Sequence, residues 1–315
     1  MIRIVTTLNM TENFYPKLTI ADEQVISLKD SAGNTVDLVE YDGYYMSRNA
    51  IERGRIPDGR TNIPRIMRMK VRPDDVFLIA YPKAGTHWTN EIIHMLLLRN
   101  TEYHPEPKER FMLPFQTPER IDELPSPRII NSHMYFRHLP QDLLNKKNKI
   151  IFVNRNPKDV AVSFYHHCQN SSVSFRGSWP DFLDFFMSDI VYHCAWYTYM
   201  QDWEKVILEH PEIKVLFVNY EDLIKNTVHE IARMAEFLEV ANTDEFYQNV
   251  ADKCCFEQLK QDYSIRYGPD GDNFMFRKGQ VGGWKDCFTV AQNEQFDNYL
   301  LNRMHKSTWK FTYEI

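Results

Sequence analysis

Two short segments, far apart in the chain, contain the residue types and the spacing that could hold phosphate. The first spans 81–88, where Lys83 and Gly85 stand between an apolar run at 76–80 and an amphipathic stretch at 88–98. This order predicts a strand, a tight loop and a helix N-terminus, whose backbone N–H groups would point at an anion. Lys83 precedes the single glycine, whereas the lysine of nucleotide triphosphatase loops follows the last one. The segment therefore indicates a different phosphate chemistry.

A second segment, 277–285 near the end of the chain, is also basic and rich in glycine. A third candidate begins at Arg155, which follows an apolar run, with Pro157 in a favoured position at a helix start and Ser163 farther along. Arg155 and Ser163 could hold one phosphate from two sides. Taken alone, the pattern is equally consistent with a helix start that carries a surface arginine and a hydroxyl.

Alternating strands and helices would position these residues. Short β-rich runs alternate with helical ones from Asp75 onward, which predicts an α/β fold with a central parallel sheet flanked by helices. The predicted strands are 76–80, 128–131, 150–154 and 214–219, and the predicted helices are 88–98, 157–168, 180–209 and 227–239. We expect one globular domain at 71–315, with residues 1–70 packed on it as an N-terminal extension and a small hairpin around 31–34.

Each of the four predicted strands is followed by a side chain that could bind or react. Lys83 follows the first strand, His133 the second, Arg155 the third and Tyr220 the fourth. Ligands of parallel α/β sheets bind outside the carboxyl ends of the strands. We therefore expect these four side chains to converge on one crevice.

The bulk composition limits the classes of partner. The chain has 315 residues and a formal net charge of −6, which argues against nucleic-acid binding because that needs a basic face. Its five cysteines are scattered without the spacing of a metal site, which indicates reduced thiols in the cytosol. No apolar run approaches the length of a membrane span, and the first residues lack the layout of a signal peptide. We expect a cytoplasmic protein without a membrane partner.

The motifs together resemble those of the cytosolic sulfotransferases, a family that uses 3′-phosphoadenosine-5′-phosphosulfate (PAPS). The loop with Lys83, the ordered run 155–163 and the late segment 277–279 carry the resemblance, which extends from about residue 70 to residue 300. It implies transfer of a sulfuryl group from PAPS to a hydroxyl or amine of a small, largely apolar acceptor, such as a phenol, catecholamine, steroid or alcohol. It also implies 3′-phosphoadenosine-5′-phosphate (PAP) as a product, and no metal.

The resemblance implies two catalytic residues. His133 matches the family's base, and a neutral imidazole can take the acceptor's proton near pH 7. Lys83 matches the lysine that meets the 5′-phosphosulfate, where its charge would offset the negative charge that grows on the bridging oxygen. For each residue taken alone, a structural or solvent-exposed role is the alternative.

The same resemblance implies a set of donor-binding residues. Arg155, Ser163 and the segment 277–279 would hold the 3′-phosphate, which distinguishes this nucleotide from ATP. Trp88 would stack on adenine, unless it is an ordinary core tryptophan. Cys254 stands where a threonine is usual. The full set implied to bind the donor is Lys83, Ala84, Gly85, Thr86, His87, Trp88, Arg155, Ser163, Tyr220, Cys254, Phe256, Arg277, Lys278 and Gly279.

Three positions depart from the family pattern. His87 replaces a threonine, Asn131 replaces a lysine and Gly283 replaces an aspartate. The change at position 131 removes a positive charge beside the transferred group, and we expect His87 to restore part of it. Gly283 adds backbone freedom, so we expect the loop at 275–285, which would close over the donor, to be more mobile in the absence of the donor.

Four residues are expected to line the acceptor side. Phe115 fits the aromatic lining of the family, and His133 would face the acceptor as its base. His167 and His193 stand where aromatic residues are common. Either these two are satisfied histidines of the core or surface, or they face the pocket. In the second case they favour a polar-edged acceptor, such as a catechol, phenolic amine or hydroxylated ring, over a flat steroid.

The segment 285–294 matches the family's short dimerisation signature. The matching positions are Lys285, Thr289, Val290 and Glu294. Across a two-fold axis, Lys285 of one copy could meet Glu294 of the other. We expect a homodimer, and a weak one because so short a segment is smaller than a standard interface. Thr289 also suits a helix cap.

Two other functions stay open on the sequence, and a third conflicts with it. A PAP-dependent dehydratase on the same scaffold would use His133 for dehydration. A catalytically weak homologue that binds nucleotide or ligand would account for the departures from the family pattern, although Lys83 and His133 are both retained. A P-loop kinase conflicts with the place of Lys83 before the glycine.

Overall fold

Two β-sheets organise the residues that the structure describes. The structure, a computed structural model, describes residue 20 and residues 25–171, 175–267 and 276–315. The antiparallel sheet consists of β1 (Val25–Lys29), β2 (Thr35–Tyr41) and β3 (Tyr44–Ser47). The parallel sheet consists of β4 (Val76–Ala80), β5 (Met112–Leu113), β6 (Ile129–Ser132), β7 (Lys149–Asn154) and β8 (Val215–Asn219). Its strand order is β5-β6-β4-β7-β8, which confirms the predicted α/β class with a central parallel sheet.

Helices connect these strands and cover the parallel sheet. They are α1 (Arg48–Glu52), α2 (Gly59–Arg68), α3 (Thr86–Leu98), α4 (Pro118–Asp122), α5 (Asp142–Lys146), α6 (Pro157–Asn170), α7 (Trp179–Phe186), α8 (Trp196–Glu209), α9 (Tyr220–Lys225), α10 (Thr227–Leu238), α11 (Asp244–Lys253), α12 (Phe256–Tyr267) and α13 (Val290–Met304). Short 3-10 helices occur at Lys108–Phe111, Phe136–His138 and Gly283–Asp286. Among the described residues, no helix combines the length and the apolar character that crossing a bilayer requires.

Strand β4 lies at the centre of the parallel sheet, and all of its residues are buried. Its unbroken apolar sequence is typical of a strand that is covered on both faces. Val76 pairs with Ile129 of β6 on one side and with Lys149 of β7 on the other. The strand order therefore reverses at β4, and the carboxyl ends of β4, β6 and β7 border the crevice where ligands of such sheets bind.

Alternate residues of β4 enter two different hydrophobic cores. Val76, Leu78 and Ala80 belong to the core shared with α3, α10 and α11. Phe77 and Ile79 belong to the core shared with β2, α6 and α8. This alternation follows from the two-residue period of a strand. Because both faces of β4 are packed, the position of its carboxyl end is fixed.

The two helices that frame the crevice begin close to their predicted starts. Helix α3 begins at Thr86, two residues earlier than predicted, after Gly85 in the left-handed region with φ 114°. Helix α6 begins at Pro157, and the side chain of Asn156 accepts a hydrogen bond from the Asp159 N–H at 2.8 Å. Both helix N-termini follow directly from strands of the parallel sheet, so their free N–H groups face the crevice.

The prediction of a single helix at 180–209 is wrong. Two helices, α7 and α8, occupy this region and are separated by the segment 187–195. Within that segment His193 has φ 71°, which a continuous helix cannot contain. Its backbone N–H and carbonyl instead exchange two 2.8 Å hydrogen bonds with Tyr45 of β3. The break therefore places His193 against the antiparallel sheet.

The hairpin predicted around 31–34 is confirmed and belongs to a larger sheet. Strands β1 and β2 are antiparallel, with Lys29 opposite Thr35, and Gly33 has φ 83° in the turn between them. Strand β3 has no counterpart among the predicted elements, and its Tyr44 and Met46 are buried in the core that also contains Phe77. Residues 1–19 and 21–24 of the predicted extension lie outside the described residues.

A buried ion pair joins the residues that precede β4 and β6. Arg128 donates from Nε to Asp75 Oδ1 at 2.7 Å and from Nη2 to Asp75 Oδ2 at 2.5 Å, and both side chains are fully buried. Arg128 Nη1 also donates to the carbonyl of Ile121 at 3.2 Å. Removal of one partner would leave the other charge buried without compensation.

We expect Asp75→Ala to lower the free energy of unfolding by about 3–5 kcal/mol, because the Arg128 guanidinium would stay buried without its carboxylate. Urea denaturation measures the change. The control is Asp122→Ala, since that exposed carboxylate also accepts from Arg128, at 3.2 Å, and its loss should cost less than about 1 kcal/mol. If the two variants unfold at the same urea concentration, the buried ion pair does not stabilise the junction before β4 and β6.

Candidate active site

The loop that follows β4 is shaped to approach a ligand with its backbone. Lys83 has φ 69° and Gly85 has φ 114°. A Cβ atom on Gly85 would lie 2.8 Å from Cδ2 of Tyr220, so only glycine fits there. Gly85 provides no side-chain cap for α3, and the first N–H groups of this helix can therefore meet an anion. Ala84 and Thr86 flank Gly85 and are buried.

Arg155 connects this loop to the late basic segment, defined here as residues 276–286. Its Nη1 donates to the carbonyl of Lys83 and its Nη2 to the carbonyl of Gln280, each at 3.2 Å. Its guanidinium lies 4.1 Å from the centre of the Tyr220 ring. Among the described residues, the buried Nε of Arg155 has no hydrogen-bond partner. One arginine thus contacts three elements and keeps a donor for a ligand.

A carboxylate that the sequence analysis missed fixes the late basic segment. The fully buried Asp159 accepts hydrogen bonds from the N–H groups of Gly282 and Trp284, each at 2.9 Å. A Cβ on Gly283 would approach Arg277 Nη2 to 3.0 Å, so the glycine lets this arginine pack closely. The mobility expected for 275–285 stays a prediction, and residue 275 lies outside the described residues.

Glu221 supports the same corner and was also missed. Its Oε1 accepts from the backbone N–H of Asn156 at 2.8 Å and from Asn156 Nδ2 at 3.0 Å. Burial raises the pKa of Glu221, although these hydrogen bonds oppose the rise. An asparagine cap followed three residues later by Asp159 is a recognisable helix-start signal. That signal could have identified Asp159, whereas no local pattern indicates Glu221.

The residues expected around the 3′-phosphate lie just before α6, on α6 and on the late basic segment. Ser163 is half-buried on α6. The charges of Arg277 and Lys278 lower the pKa of His166, after the larger effect of burial, so the segment faces this side of α6. Lys278 also pairs with Asp286.

Trp88 and Tyr220, expected near adenine, contact each other, and Phe256 contacts the late basic segment. The rings of Trp88 and Tyr220 meet edge to face, with centroids 5.8 Å apart. A Cβ on Gly279 would clash with the ring of Phe256 at 2.2 Å, so these two residues touch. Cys254 is fully buried, and its thiol contacts the sulfur of Met95 in α3 at 3.7 Å.

His133 is oriented by a backbone carbonyl at the end of β4. Its Nδ1 lies 2.7 Å from the oxygen of Ala80. Because a carbonyl only accepts hydrogen bonds, Nδ1 carries the proton and Nε2 keeps its lone pair. Burial lowers the pKa of His133 well below 6.5, and the charges of Lys108 and His193 lower it further. The imidazole is therefore neutral at pH 7, in the tautomer that a base requires.

His193 and Phe115 border His133. The ring of His193 lies 5.4 Å from that of His133 and 5.8 Å from that of Phe115. Its Nδ1 is 2.5 Å from the hydroxyl of the buried Tyr44 in β3. Burial lowers the pKa of His193 to about 3, with a further contribution from the charge of Lys108. The break between α7 and α8 is what brings this neutral imidazole beside His133.

His167 lies farther along the same wall, with its ring 6.2 Å from that of Phe164. Burial lowers its pKa well below 6.5, and the charge of Lys83 contributes next. Burial likewise lowers the pKa of Lys83 to about 8, with contributions from Lys108 and Arg155. The charge of Lys83 therefore acts on His167.

His87 does not restore the positive charge, contrary to expectation. Its Nε2 lies 3.1 Å from Glu109 Oε1, but burial lowers its pKa to about 4 and the nearby charge of Lys108 adds to the effect. The imidazole is thus neutral at pH 7. Asn131 is also uncharged, and its Nδ2 donates to Asn90 Oδ1 at 3.0 Å. Lys108 is the buried cation near these residues that the sequence analysis missed.

The residues of the expected dimerisation segment are on the surface. Lys285 Nζ pairs with Glu314 Oε1 of the same chain at 2.6 Å. Thr289 caps α13 through a hydrogen bond from the Gln292 N–H. Val290 and Glu294 are exposed. The described residues contain no cluster of His, Cys, Asp and Glu side chains that could hold a metal ion.

Comparison with known proteins gives consistent matches over most of the chain. A sequence model of the sulfotransferase domain matches residues 73–308. Sulfotransferase 1B1 of the dog is 34% identical over 276 residues, which cover 81% of this chain and 91% of the relative. Human sulfotransferase 1E1 is 34% identical over 264 residues, which cover 78% of this chain and 89% of the relative.

Solved structures agree with these matches. The structure of mouse sulfotransferase SULT7A1 complexed with PAP aligns with a TM-score of 0.69 at 27% identity, over 86% of this chain and 96% of that one. A retinol dehydratase in a complex with retinol and PAP has the same fold, with a TM-score of 0.69 at 20% identity. The chain therefore belongs to the sulfotransferase domain family and is a PAPS-dependent sulfotransferase.

Proposed function

We propose that this enzyme transfers the sulfuryl group of PAPS to a hydroxyl or amine of a small, largely apolar acceptor, with His133 as the general base and Lys83 as the cation at the leaving phosphate. One observation carries the proposal. The carbonyl of Ala80, the last residue of β4, orients His133 at 2.7 Å, and Lys83 follows three residues later in a backbone conformation with φ 69°. A single strand end thus holds both the base and the cation.

The residues of the crevice fit the nucleotide part of the donor. Arg155 has a buried Nε that lacks a protein partner among the described residues, and a phosphate oxygen would satisfy it. Gly85 and Gly279 let the rings of Tyr220 and Phe256 approach the backbone closely, because a Cβ at either position would clash with them. Trp88, Tyr220, Cys254 and Phe256 would border adenine, while Arg155, Ser163, Arg277, Lys278 and Gly279 would bind the 3′-phosphate.

The donor supplies an activated sulfuryl group and leaves as PAP. His133 Nε2 takes the proton from the acceptor's hydroxyl or amine while the acceptor atom forms its bond to sulfur. Lys83 stabilises the electron pair that stays on the phosphate oxygen when the bond from that oxygen to sulfur breaks. The N–H groups at the start of α3 support the same phosphate, with Ala84, Gly85, Thr86 and His87 as the contact positions.

The acceptor pocket favours a ring with a polar edge. Phe115 supplies an aromatic surface beside His193, and the pKa values of His133, His167 and His193 are all well below 6.5. These neutral imidazoles can donate or accept hydrogen bonds without repelling a neutral acceptor. We therefore propose a phenol, catechol or phenolic amine as the preferred class, ahead of a steroid.

We also propose that the enzyme acts in the cytosol and assembles as a weak homodimer. All five cysteines are free thiols, which suits the cytosol. The molecule would act as a weak homodimer through Lys285, Thr289, Val290 and Glu294. Residues 1–70 and 71–315 would work as one globular unit, since β2 and β3 share a core with the parallel sheet.

We expect the wild-type enzyme to transfer labelled sulfate from PAPS to phenols and catecholamines, and His133→Ala to lower kcat about 10²–10⁴-fold because the base is lost. Chromatography of the labelled product measures this. Affinity for PAP should stay within about threefold, because His133 lies on the acceptor side. The exposed His229→Ala serves as control and should behave as wild type. A dehydrated, unsulfated product would support the lyase instead, and PAP binding without any product would support a binding homologue.

The pH dependence of kcat/KM for PAPS should reflect Lys83 on the alkaline side. The pKa of Lys83 is lowered to about 8, so its charge is present below that pH and lost above it. The pKa of His133 lies well below 6.5, so the base stays neutral, and the rate should not fall between pH 7 and pH 6. Initial rates from pH 5.5 to 10 test this. A rate that halves near pH 6.5, or stays constant up to pH 10, contradicts the assignment.

The dimer should depend on Val290, whose side chain is exposed at the start of α13. We expect Val290→Glu to convert a dimer to a monomer in size-exclusion chromatography with light scattering, because a buried unpaired carboxylate opposes association. Leu301→Glu, also exposed on α13 but outside the segment, should leave the mass unchanged. A Val290→Glu protein that keeps the dimer mass would show that another surface makes the contact.

A further inference from the structure

Lys108 is a buried cation to which the proposed sulfuryl transfer by His133 and Lys83 assigns no role. It lies on the short 3-10 helix that precedes β5, and only 2% of its side chain is exposed. Burial lowers its pKa, while the neighbouring Glu109 opposes the change. An ammonium group loses its hydration when it is buried, and this costs free energy. Hydrogen-bond acceptors close to the nitrogen must offset that cost.

The contacts of Lys108 are too weak to provide that compensation fully. Its Nζ lies 3.6 Å from Glu109 Oε1 and 3.7 Å from the sulfur of Met112. Charge-assisted hydrogen bonds are usually about 2.7–2.9 Å long, and a thioether is a poor acceptor. The same Glu109 oxygen also meets His87 Nε2 at 3.1 Å. Lys108 therefore keeps donor capacity for an oxygen of a ligand.

The position of Lys108 lies between the donor and acceptor sides of the crevice. Met112 in β5 pairs with Asn131 in β6, two residues before His133. Glu109, which contacts Lys108, also contacts His87 in the first turn of α3, beside the loop expected to bind the phosphosulfate. Lys108 therefore borders both the start of α3, beside the loop expected to bind the phosphosulfate, and the strand that leads to His133.

The charge of Lys108 lowers the pKa of groups on both the donor side and the acceptor side of the crevice. After burial, it is the largest effect that lowers the pKa of Lys83 on the donor side and of His133 and His193 on the acceptor side. His87, His133 and His193 are neutral at pH 7, and Asn131 Nδ2 donates a hydrogen bond to Asn90. None of these groups supplies a positive charge to the transferring group.

We propose that Lys108 is a further catalytic residue, whose ammonium binds a non-bridging oxygen of the sulfuryl group and whose orientation is set by Glu109. The inference rests on the proposed sulfuryl transfer. During that step Lys108 keeps its proton and forms no covalent bond. It holds sulfur in line between the acceptor atom and the phosphate oxygen that leaves with the electron pair.

The test compares the binding of PAPS, which carries the sulfuryl group, with that of PAP, which lacks it. Isothermal titration calorimetry without acceptor is done on wild type, Lys108→Met, Lys108→Arg and the exposed control Lys205→Met. We expect Lys108→Met to weaken PAPS binding about tenfold or more, because a hydrogen bond to a charged group is lost. PAP binding should change less than about threefold. The PAPS affinity of Lys108→Arg should lie between those of wild type and Lys108→Met. Lys205→Met should bind PAPS and PAP as wild type does.

Kinetics provide the second readout. Lys108→Met should lower kcat about 10²–10³-fold, the range found when a donor to the reacting group is removed, with a smaller change in the KM of the acceptor. If Lys108→Met loses PAPS and PAP affinity equally, or loses neither, Lys108 does not bind the sulfuryl group. The binding comparison needs no turnover, so its outcome is separate from failure of the proposed function, in which wild type forms no sulfated product.

A double variant keeps the test decisive if Lys108→Met does not fold. Lys108→Met with Glu109→Gln removes both charges of the pair and avoids a buried unpaired carboxylate. It should show the same selective loss of PAPS over PAP. Equal affinities of this variant and of wild type for PAPS would overturn the proposal.

Discussion

The contact between His133 and the last carbonyl of β4 is the constraint on which the arrangement of the site depends. Strand β4 is buried on both faces and paired on both edges, so the Ala80 carbonyl has a fixed position and His133 Nδ1 lies 2.7 Å from it. The same strand end determines where Lys83 stands and where α3 begins. The tautomer of the base, the place of the cation and the direction of the helix N-terminus are therefore consequences of one packed strand.

A second set of contacts brings the late basic segment to this strand end. Arg155 donates to carbonyls on both sides of the crevice, and Asp159 holds the N–H groups of Gly282 and Trp284. These are buried polar groups that a purely structural core would avoid. Burial lowers the pKa of Lys83, and repulsion from the nearby charges of Lys108 and Arg155 lowers it further. Bound anions would relieve this repulsion. The same charges that destabilise the free protein would therefore stabilise its complex with the donor.

The sequence predicted the parallel sheet well because its strands are apolar runs followed by reactive side chains, and both features are local. Lys83, His133, Arg155 and Tyr220 were expected at strand ends, and β4, β6, β7 and β8 precede them. The break between α7 and α8 was not predictable, since it depends on the pairing of His193 with Tyr45 of a distant strand. Lys108 was missed for a similar reason. In the sequence it lies in a charged stretch typical of a solvated surface, and only the fold buries it.

The protonation state of His133 decides whether this residue can serve as the base. Nitrogen-15 NMR of the imidazole, assigned by comparison with His133→Ala, reports which ring nitrogen carries the proton and where the group titrates. We predict a neutral ring at pH 7, with the proton on Nδ1 and a pKa well below 6.5. A protonated ring at pH 7, or a neutral ring with its proton on Nε2, would contradict the role of His133 as the base.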